Sequence, residues 1–241
     1  MHPTDKAARI AGAWYLSLVL TGPFSLIYVP DKLIVRGDAT ATANSILTHE
    51  TLFRLGIVAS LFSTVIFICL AIALYRLLSG VNKTHAALMV AFVLVSAAVG
   101  FLNVLNNIAA LILFRGENFL AVFDKPHLDA LAYLFIRLHS QGNLINEIFW
   151  GLWLFPFGLL VFRSGFLPRF IGVWLMINCF GWVVLSLTAL FFPLYYEAAF
   201  RWAQPVLFGE LAIMLWLLIK GAKVPAVDKP SALAKRASIP A

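Results

Sequence analysis

Residues 55–75 read LGIVASLFSTVIFICLAIALY, a run without a single charged side chain. An α-helix rises about 1.5 Å per residue, so this run is about 30 Å long, which is the thickness of the hydrocarbon core of a bilayer. The run belongs to a longer apolar stretch over residues 52–78. It predicts a helix that crosses a membrane.

The composition of the whole chain agrees with this prediction. Of the 241 residues, 62% are hydrophobic and 12% are charged, whereas soluble globular chains are about 45–50% apolar and about 25% charged. This composition excludes a soluble enzyme, a disordered chain and a small disulfide-bonded secreted domain. Cys69 and Cys179 lie in separate apolar runs, and we interpret both as small buried side chains.

Apolar stretches of sufficient length occur six times along the chain. They cover residues 10–30, 52–78, 86–114, 142–162, 170–192 and 200–219. The short turn at 79–83 makes the second and third stretches an antiparallel pair. Pro168 is suited to a helix start, and Lys220-Gly221 is typical of a helix end. The predicted fold is all-α, a polytopic membrane bundle with six transmembrane helices over residues 1–221.

Two segments outside these stretches have their own character. Residues 124–139 carry large apolar side chains at helical spacing, with charged side chains on the other faces. They predict a short interfacial amphipathic helix before the fourth span and not a seventh crossing. Residues 222–241 are small, basic and contain proline, and they predict a disordered cytoplasmic tail.

The distribution of Lys and Arg predicts the orientation. With six crossings both termini lie on one side, and that side carries eleven of the 18 Lys and Arg residues, including most of those in the tail. The positive-inside rule therefore places both termini in the cytoplasm of a bacterial inner membrane. This topology explains the net charge of +7 without a nucleic-acid partner, because no compact basic motif with interleaved aromatics occurs. The expected partner is the lipid bilayer.

Two acidic residues lie inside the predicted spans. Glu210 is ten residues into the stretch 200–219, which is about 15 Å deep and close to the middle of a bilayer. Glu147 is about two helical turns into the fourth stretch. A carboxylate at such depth is costly unless it is paired, hydrated or protonated. Both residues are therefore candidates for a functional site.

Amide and imidazole side chains accompany these acids at helical spacing. On the fourth span, His139, Asn143 and Glu147 repeat every four residues and share one face. Asn103 and Asn107 have the same spacing on the third span, with Asn106 beside them. We expect these groups to surround an outward-facing polar cavity with Glu210 at its floor and Arg54 as a counter-ion to one of the acids, although bonding between helices or interfacial anchoring would explain them equally.

Motifs of known catalytic chemistry are missing. His49-Glu50 lacks the second histidine of a His-Glu-x-x-His zinc site, and no Gly-x-Ser-x-Gly, phosphate loop or dinucleotide fingerprint occurs. The sequence therefore predicts no catalytic residue, metal or cofactor. A metal held by His139, Glu147 and a residue of the 49–50 pair is conceivable, but its ligands would come from separated segments.

Several segments together resemble the bacterial membrane family catalogued as domain of unknown function 4386. The resemblance extends from Lys6 to Gly221 and implies a small polytopic inner-membrane protein without an established activity. Arg54, Asn103, Asn106 and Glu210 fall within the recurring segments, whereas the stripe on the fourth span rests on its spacing alone. The segments are Arg9-Ile10-Ala11-Gly12, Gly37-Asp38-Ala39, Leu52-Phe53-Arg54, Ala73-Leu74-Tyr75, Val81-Asn82-Lys83, Asn103 with Asn106, Ser164-Gly165-Phe166-Leu167-Pro168-Arg169, Gly209-Glu210-Leu211 and Trp216-Leu217-Leu218-Ile219-Lys220-Gly221.

Three functional hypotheses follow. The leading one is a non-enzymatic protein that binds, senses or transports a small polar solute or protons in its cavity. The second is an intramembrane hydrolase or transferase that uses His139 and Glu147 as bases or metal ligands. The third is a structural or assembly partner whose polar side chains only pack.

Overall fold

The computed structural model describes residues 3–222, which fold into ten α-helices. We number these helices α1 to α10 in chain order. They are α1 Pro3–Pro23, α2 Val29–Leu33, α3 Ala39–Thr48, α4 Glu50–Leu78, α5 Lys83–Arg115, α6 Lys125–Leu152, α7 Leu154–Arg163, α8 Arg169–Phe191, α9 Tyr196–Leu207 and α10 Gly209–Ile219. A π-helical turn, Phe24–Tyr28, joins α1 to α2. The predicted tail lies almost wholly outside the described residues.

Six stretches of these helices are long and apolar enough to cross a membrane, as the sequence predicts. They are Thr4–Leu33, Glu50–Leu78, Lys83–Arg115, Lys125–Arg163, Arg169–Phe191 and Pro193–Ile219. Large apolar side chains such as Leu20, Phe62 and Leu102 point outward and are more than 60% exposed. In water such a surface would be unfavourable, whereas in a bilayer these side chains face lipid. The all-α polytopic bundle is thereby confirmed.

The segment before the fourth span differs from the prediction. Residues 124–139 are helical, but they continue without interruption into the fourth span as the single helix α6. Asp124 caps this helix by accepting a hydrogen bond from the His127 backbone N–H at 3.0 Å, and this bond lowers the pKa of the Asp124 carboxyl. Gly142 lies within this helix without breaking it. Its missing side chain leaves the space that Asn103 fills.

A short helix after the first span, α3, is not anticipated by the sequence reading. Asp38 caps it by accepting a hydrogen bond from the Ala41 backbone N–H at 2.8 Å. The Gly37 backbone N–H donates to Tyr133 Oη of α6 at 2.8 Å. This contact holds α3 against the first half of α6.

Two apolar cores stabilise the bundle, one near each end. The larger core contains part of α1, the second half of α4, the first half of α5, most of α7, the first half of α8 and much of α10. The smaller core contains α2, α3, the start of α4, the end of α5 and the first half of α6. Between them, the middle parts of α4, α5 and α6 carry most of the polar side chains of the spans.

Both ends of the described chain lie at the same end of the bundle. Arg9 Nη1 of α1 donates to the Leu218 carbonyl of α10 at 3.4 Å, and a Cβ on Gly12 would meet the backbone of Leu218 at 2.8 Å. We call this end, with the larger core, the chain-terminal end, and the opposite end, with α3 and the smaller core, the distal end. This arrangement is what six crossings require.

Candidate functional site

Asn103, His139 and Asn143 form one hydrogen-bonded cluster between α5 and α6. Asn103 Nδ2 donates to the His139 carbonyl at 2.8 Å and to Asn143 Oδ1 at 2.9 Å. His139 Nδ1 lies 3.0 Å from the Asn103 carbonyl, and its Nε2 lies 3.4 Å from Asn143 Nδ2. The pattern is self-consistent for a neutral imidazole that donates from Nδ1 and accepts at Nε2. Both ring nitrogens are therefore occupied.

The neighbouring amides have different roles. Asn106 Nδ2 donates to Asn103 Oδ1 at 3.0 Å and to the Asn103 carbonyl at 3.2 Å, so it supports the cluster from the same helix. Asn107 is half-buried, and its side chain makes no hydrogen bond within residues 3–222. Asn106 thus supports the cluster, whereas Asn107 is not part of it.

Glu147 is almost completely buried on α6, with 5% of its surface exposed. Its Oε1 accepts a hydrogen bond from Tyr196 Oη of α9 at 3.0 Å, and its Oε2 has no hydrogen-bond partner within residues 3–222. Asn146 beside it donates to the Ser96 carbonyl at 3.2 Å, while its Oδ1 is likewise unpaired. Buried polar atoms without partners are uncommon and costly.

Glu210 lies on the other side of the same region, in the first turn of α10. Its Oε2 accepts a hydrogen bond from Tyr15 Oη of α1 at 2.7 Å, and its Oε1 accepts one from Trp182 Nε1 of α8 at 3.2 Å. Three helices thus meet at this carboxylate. A helix N-terminus also favours a negative side chain in its first turn.

The sixth span is interrupted immediately before Glu210. Pro205 lacks the N–H that a continuous helix requires, and α9 ends at Leu207 before α10 begins at Gly209. Side chains of α8 bond to backbone carbonyls beside this break: Trp174 Nε1 donates to the Pro205 carbonyl at 3.2 Å and Asn178 Nδ2 donates to the Leu207 carbonyl at 3.4 Å. These two hydrogen bonds therefore link α8 to the irregular part of the sixth span.

Arg54 lies at the distal end of the bundle, away from the two buried acids. Its Nε donates to Glu50 Oε1 at 2.6 Å, and the same carboxylate binds Arg115 of α5 at 2.6 Å. Within residues 3–222 it forms no ion pair with Glu147 or Glu210. The expected counter-ion is instead part of a charged cluster at the distal end, because one helical turn brings it to Glu50 and not into the bundle.

Two adjoining cavities occupy the polar layer between the cores. The deep cavity has a volume of about 240 Å³, and its lining includes Glu210, Asn146, Ser63 and Thr64. The distal cavity has a volume of about 650 Å³, and its lining includes Glu147, Asn107 and Tyr196. Seven lining residues are common to both, among them His139, Asn143, Trp150 and Trp182.

The distal cavity reaches the surface of the bundle. Its lining includes Arg36 and Glu197, which are largely exposed and form an ion pair at 3.6 Å. The distal cavity thus extends from this ion pair to the lining residues that it shares with the deep cavity. Asn103, Asn106 and Arg54 line neither cavity, whereas the other five predicted residues line at least one of them.

Sequence reasoning missed the aromatic members of the site. Tyr15, Trp182 and Tyr196 bind the two carboxylates, yet each looks like an ordinary belt or core residue in its own helix. Only the position of Tyr15 gives a signal, because its polar hydroxyl lies among apolar residues about one-third of the way through the first span.

Comparisons with known proteins agree with this architecture. The chain is 31% identical over 160 residues to an uncharacterised protein of Archaeoglobus fulgidus, a match that covers 66% of this chain and 80% of that protein. No solved structure matches the chain. The model of a family described as a domain of unknown function, DUF4386, matches residues 10–221. The chain therefore belongs to the DUF4386 family.

Proposed function

We propose that the protein binds a small polar solute in the deep cavity and that the solute enters through the distal cavity. The observation that carries this proposal is the set of seven lining residues that two cavities share: the distal cavity, which reaches the exposed Arg36–Glu197 pair, and the deep cavity, which is lined by Glu210. Asn146 and Glu147 support it, because each lines a cavity and carries a side-chain oxygen without a hydrogen-bond partner among the described residues. A bound solute or water would satisfy them.

Movement of the solute is the second part of the proposal. Three spans have local irregularities beside the cavities: a π-helical turn at Phe24–Tyr28, and one-residue breaks at Trp153 and Phe208, where the backbone keeps helical dihedral angles. Interrupted helices near the middle of a membrane are common at the binding sites of transporters, where they also allow segments to move. The protein is thus proposed to release its solute by a change at these three positions.

The orientation of this path follows from charge. Under the positive-inside rule the chain-terminal end faces the cytoplasm of a bacterial inner membrane, and the distal cavity opens to the opposite side. The solute is then taken up or sensed from outside the cytoplasm. The cluster of Asn103, His139 and Asn143 positions the lining amides, and its occupied imidazole favours this role over a general base.

A substitution at Gly100 tests the binding proposal. A Cβ on Gly100 would lie 3.4 Å from Thr64 Oγ1 and 3.8 Å from Asn146 Nδ2, both of which line the deep cavity. Gly100→Leu should therefore fill part of the cavity, whereas Gly100→Ala should leave it open. The measurement is the melting temperature of the purified protein with a panel of amines, amino acids, sugars and carboxylic acids.

The proposal expects at least one compound to raise the melting temperature of the natural protein and of Gly100→Ala, because ligand binding stabilises the folded state. The same compound should not change the melting temperature of Gly100→Leu. A panel that stabilises none of the three proteins contradicts the proposal, and so does an equal rise in all three.

A further inference from the structure

We infer that the solute of the deep cavity is a small organic cation, with a positively charged nitrogen and a compact apolar body. The inference rests on the proposed function and adds the chemical class of the solute. Three features of the cavity support it: the charge, the aromatic walls and the size.

The first observation is the balance of charge around the cavity. Glu210 lines the deep cavity and accepts hydrogen bonds from two neutral donors, Tyr15 and Trp182. Neither Glu210 nor Glu147 forms an ion pair within residues 3–222, and the lining of the deep cavity contains no Lys or Arg. A carboxylate inside the bundle without a cationic partner favours a ligand that brings the positive charge with it.

The second observation is the arrangement of aromatic rings. Trp150 and Trp182 line both cavities and pack edge to face, with ring centroids 5.7 Å apart. Trp153 supports this wall from behind, since it is 1% exposed and its ring stacks on Phe157 with centroids 5.3 Å apart. Indole rings attract cations at their faces more strongly than other aromatic side chains do. Since Trp182 also binds Glu210, ring and carboxylate are placed to contact one ligand.

The third observation is the size and polarity of the space. Pockets for drug-sized ligands have volumes of about 300–1,000 Å³, and the deep cavity is smaller, at about 240 Å³. Leu18, Leu26 and Val104 line it together with the indoles. Methyl groups on a charged nitrogen fit such walls better than a hydrated inorganic ion does, because an inorganic ion needs several oxygen ligands in place of its water.

The test compares choline chloride with its neutral carbon isostere, 3,3-dimethylbutan-1-ol, on the purified full-length protein. Melting temperature and intrinsic tryptophan fluorescence are measured, with sodium chloride at equal concentration as the ionic control. Choline should raise the melting temperature by roughly 5 °C near saturation and change the fluorescence. The isostere and sodium chloride should change neither the melting temperature nor the fluorescence.

Matched variants identify the site. Glu210→Gln keeps an oxygen that can accept from Tyr15 but removes the charge, so it should weaken choline binding at least tenfold. Trp150→Leu should also weaken it and should abolish most of the fluorescence change. Glu117→Gln removes an exposed acid on the α5–α6 connection and should bind choline as the natural protein does.

The outcomes separate the two proposals. If the neutral isostere or an anion from the panel binds as well as choline, and Gly100→Leu abolishes that binding, the cavity binds a solute but the cationic class is wrong. If sodium chloride gives the same response as choline, the response is a general effect of salt and the inference fails. If no compound binds, the proposed function fails with it.

Discussion

Gly142 determines whether the amide cluster can form. A Cβ at this position would lie 2.5 Å from Asn103 Cγ and 2.8 Å from Asn103 Nδ2, closer than carbon and nitrogen atoms approach without bonding. Asn103 is buried and makes hydrogen bonds to His139, Asn143 and Asn106. It therefore has little freedom to move aside for a methyl group.

Gly142→Ala should destabilise the protein by about 1–3 kcal/mol, because displacement of Asn103 leaves buried polar groups without partners. The expected result is a lower melting temperature in detergent. Gly100→Ala is the matched control, since its methyl group would make only ordinary contacts and alanine is the better helix former. Equal melting temperatures for Gly142→Ala and Gly100→Ala would show that the cluster contributes little to stability.

At this scale the sequence predicts which polar side chains lie within the spans, but it does not predict their partners. Helical spacing places His139, Asn143 and Glu147 on one face, because the period of 3.6 residues is a local property. Glu50, the partner of Arg54, lies one turn earlier on the same helix. The phenols that bind the two acids instead depend on how helices rotate against one another. That rotation is set by packing, which a single sequence does not reveal.

The interruption of the sixth span shows how two elements depend on each other. Asn178 is fully buried on α8, and its amide reaches the Leu207 carbonyl at the end of α9. Its Oδ1 has no hydrogen-bond partner. The bond from Asn178 therefore crosses between helices, to a backbone carbonyl two residues after Pro205.

Asn178→Ala should lower the stability of the protein by about 1 kcal/mol, the size expected for a hydrogen bond between membrane helices. Asn107→Ala removes the same group from a position without a side-chain hydrogen bond and serves as the control. Thermal unfolding of both variants provides the measurement. If Asn107→Ala is destabilised as much as Asn178→Ala, the amide on α8 does not support the interruption.

Helix boundaries were predicted well where proline, glycine or charge marks them. The turn at 79–83 and the end of α10 before Lys220-Gly221 follow the expected signals. The continuity of α6 was not predicted, because its amphipathic first half and apolar second half differ in composition while the backbone does not change. The composition of a segment indicates whether lipid or water surrounds it, but it does not indicate where the helix ends.

The whole molecule is a polar layer enclosed by two apolar cores. The number of spans follows from composition, since lipid requires long apolar helices. The cavities do not follow from composition, because their volume depends on side chains from α1, α4, α5, α6, α8 and α10 that are far apart in sequence. That they form a ligand site stays a prediction.

Thiol labelling measures the central claim, that water reaches this layer from the distal end, most directly. Ser60 lines both cavities, whereas Ala71 on the same helix is buried in the larger core. Each is changed to cysteine in a protein carrying Cys69→Ala and Cys179→Ala, and cells are treated with a small membrane-impermeant thiol reagent. We predict that Ser60→Cys reacts and that Ala71→Cys does not. An unreactive Ser60→Cys, or equal reaction at both positions, would contradict the account.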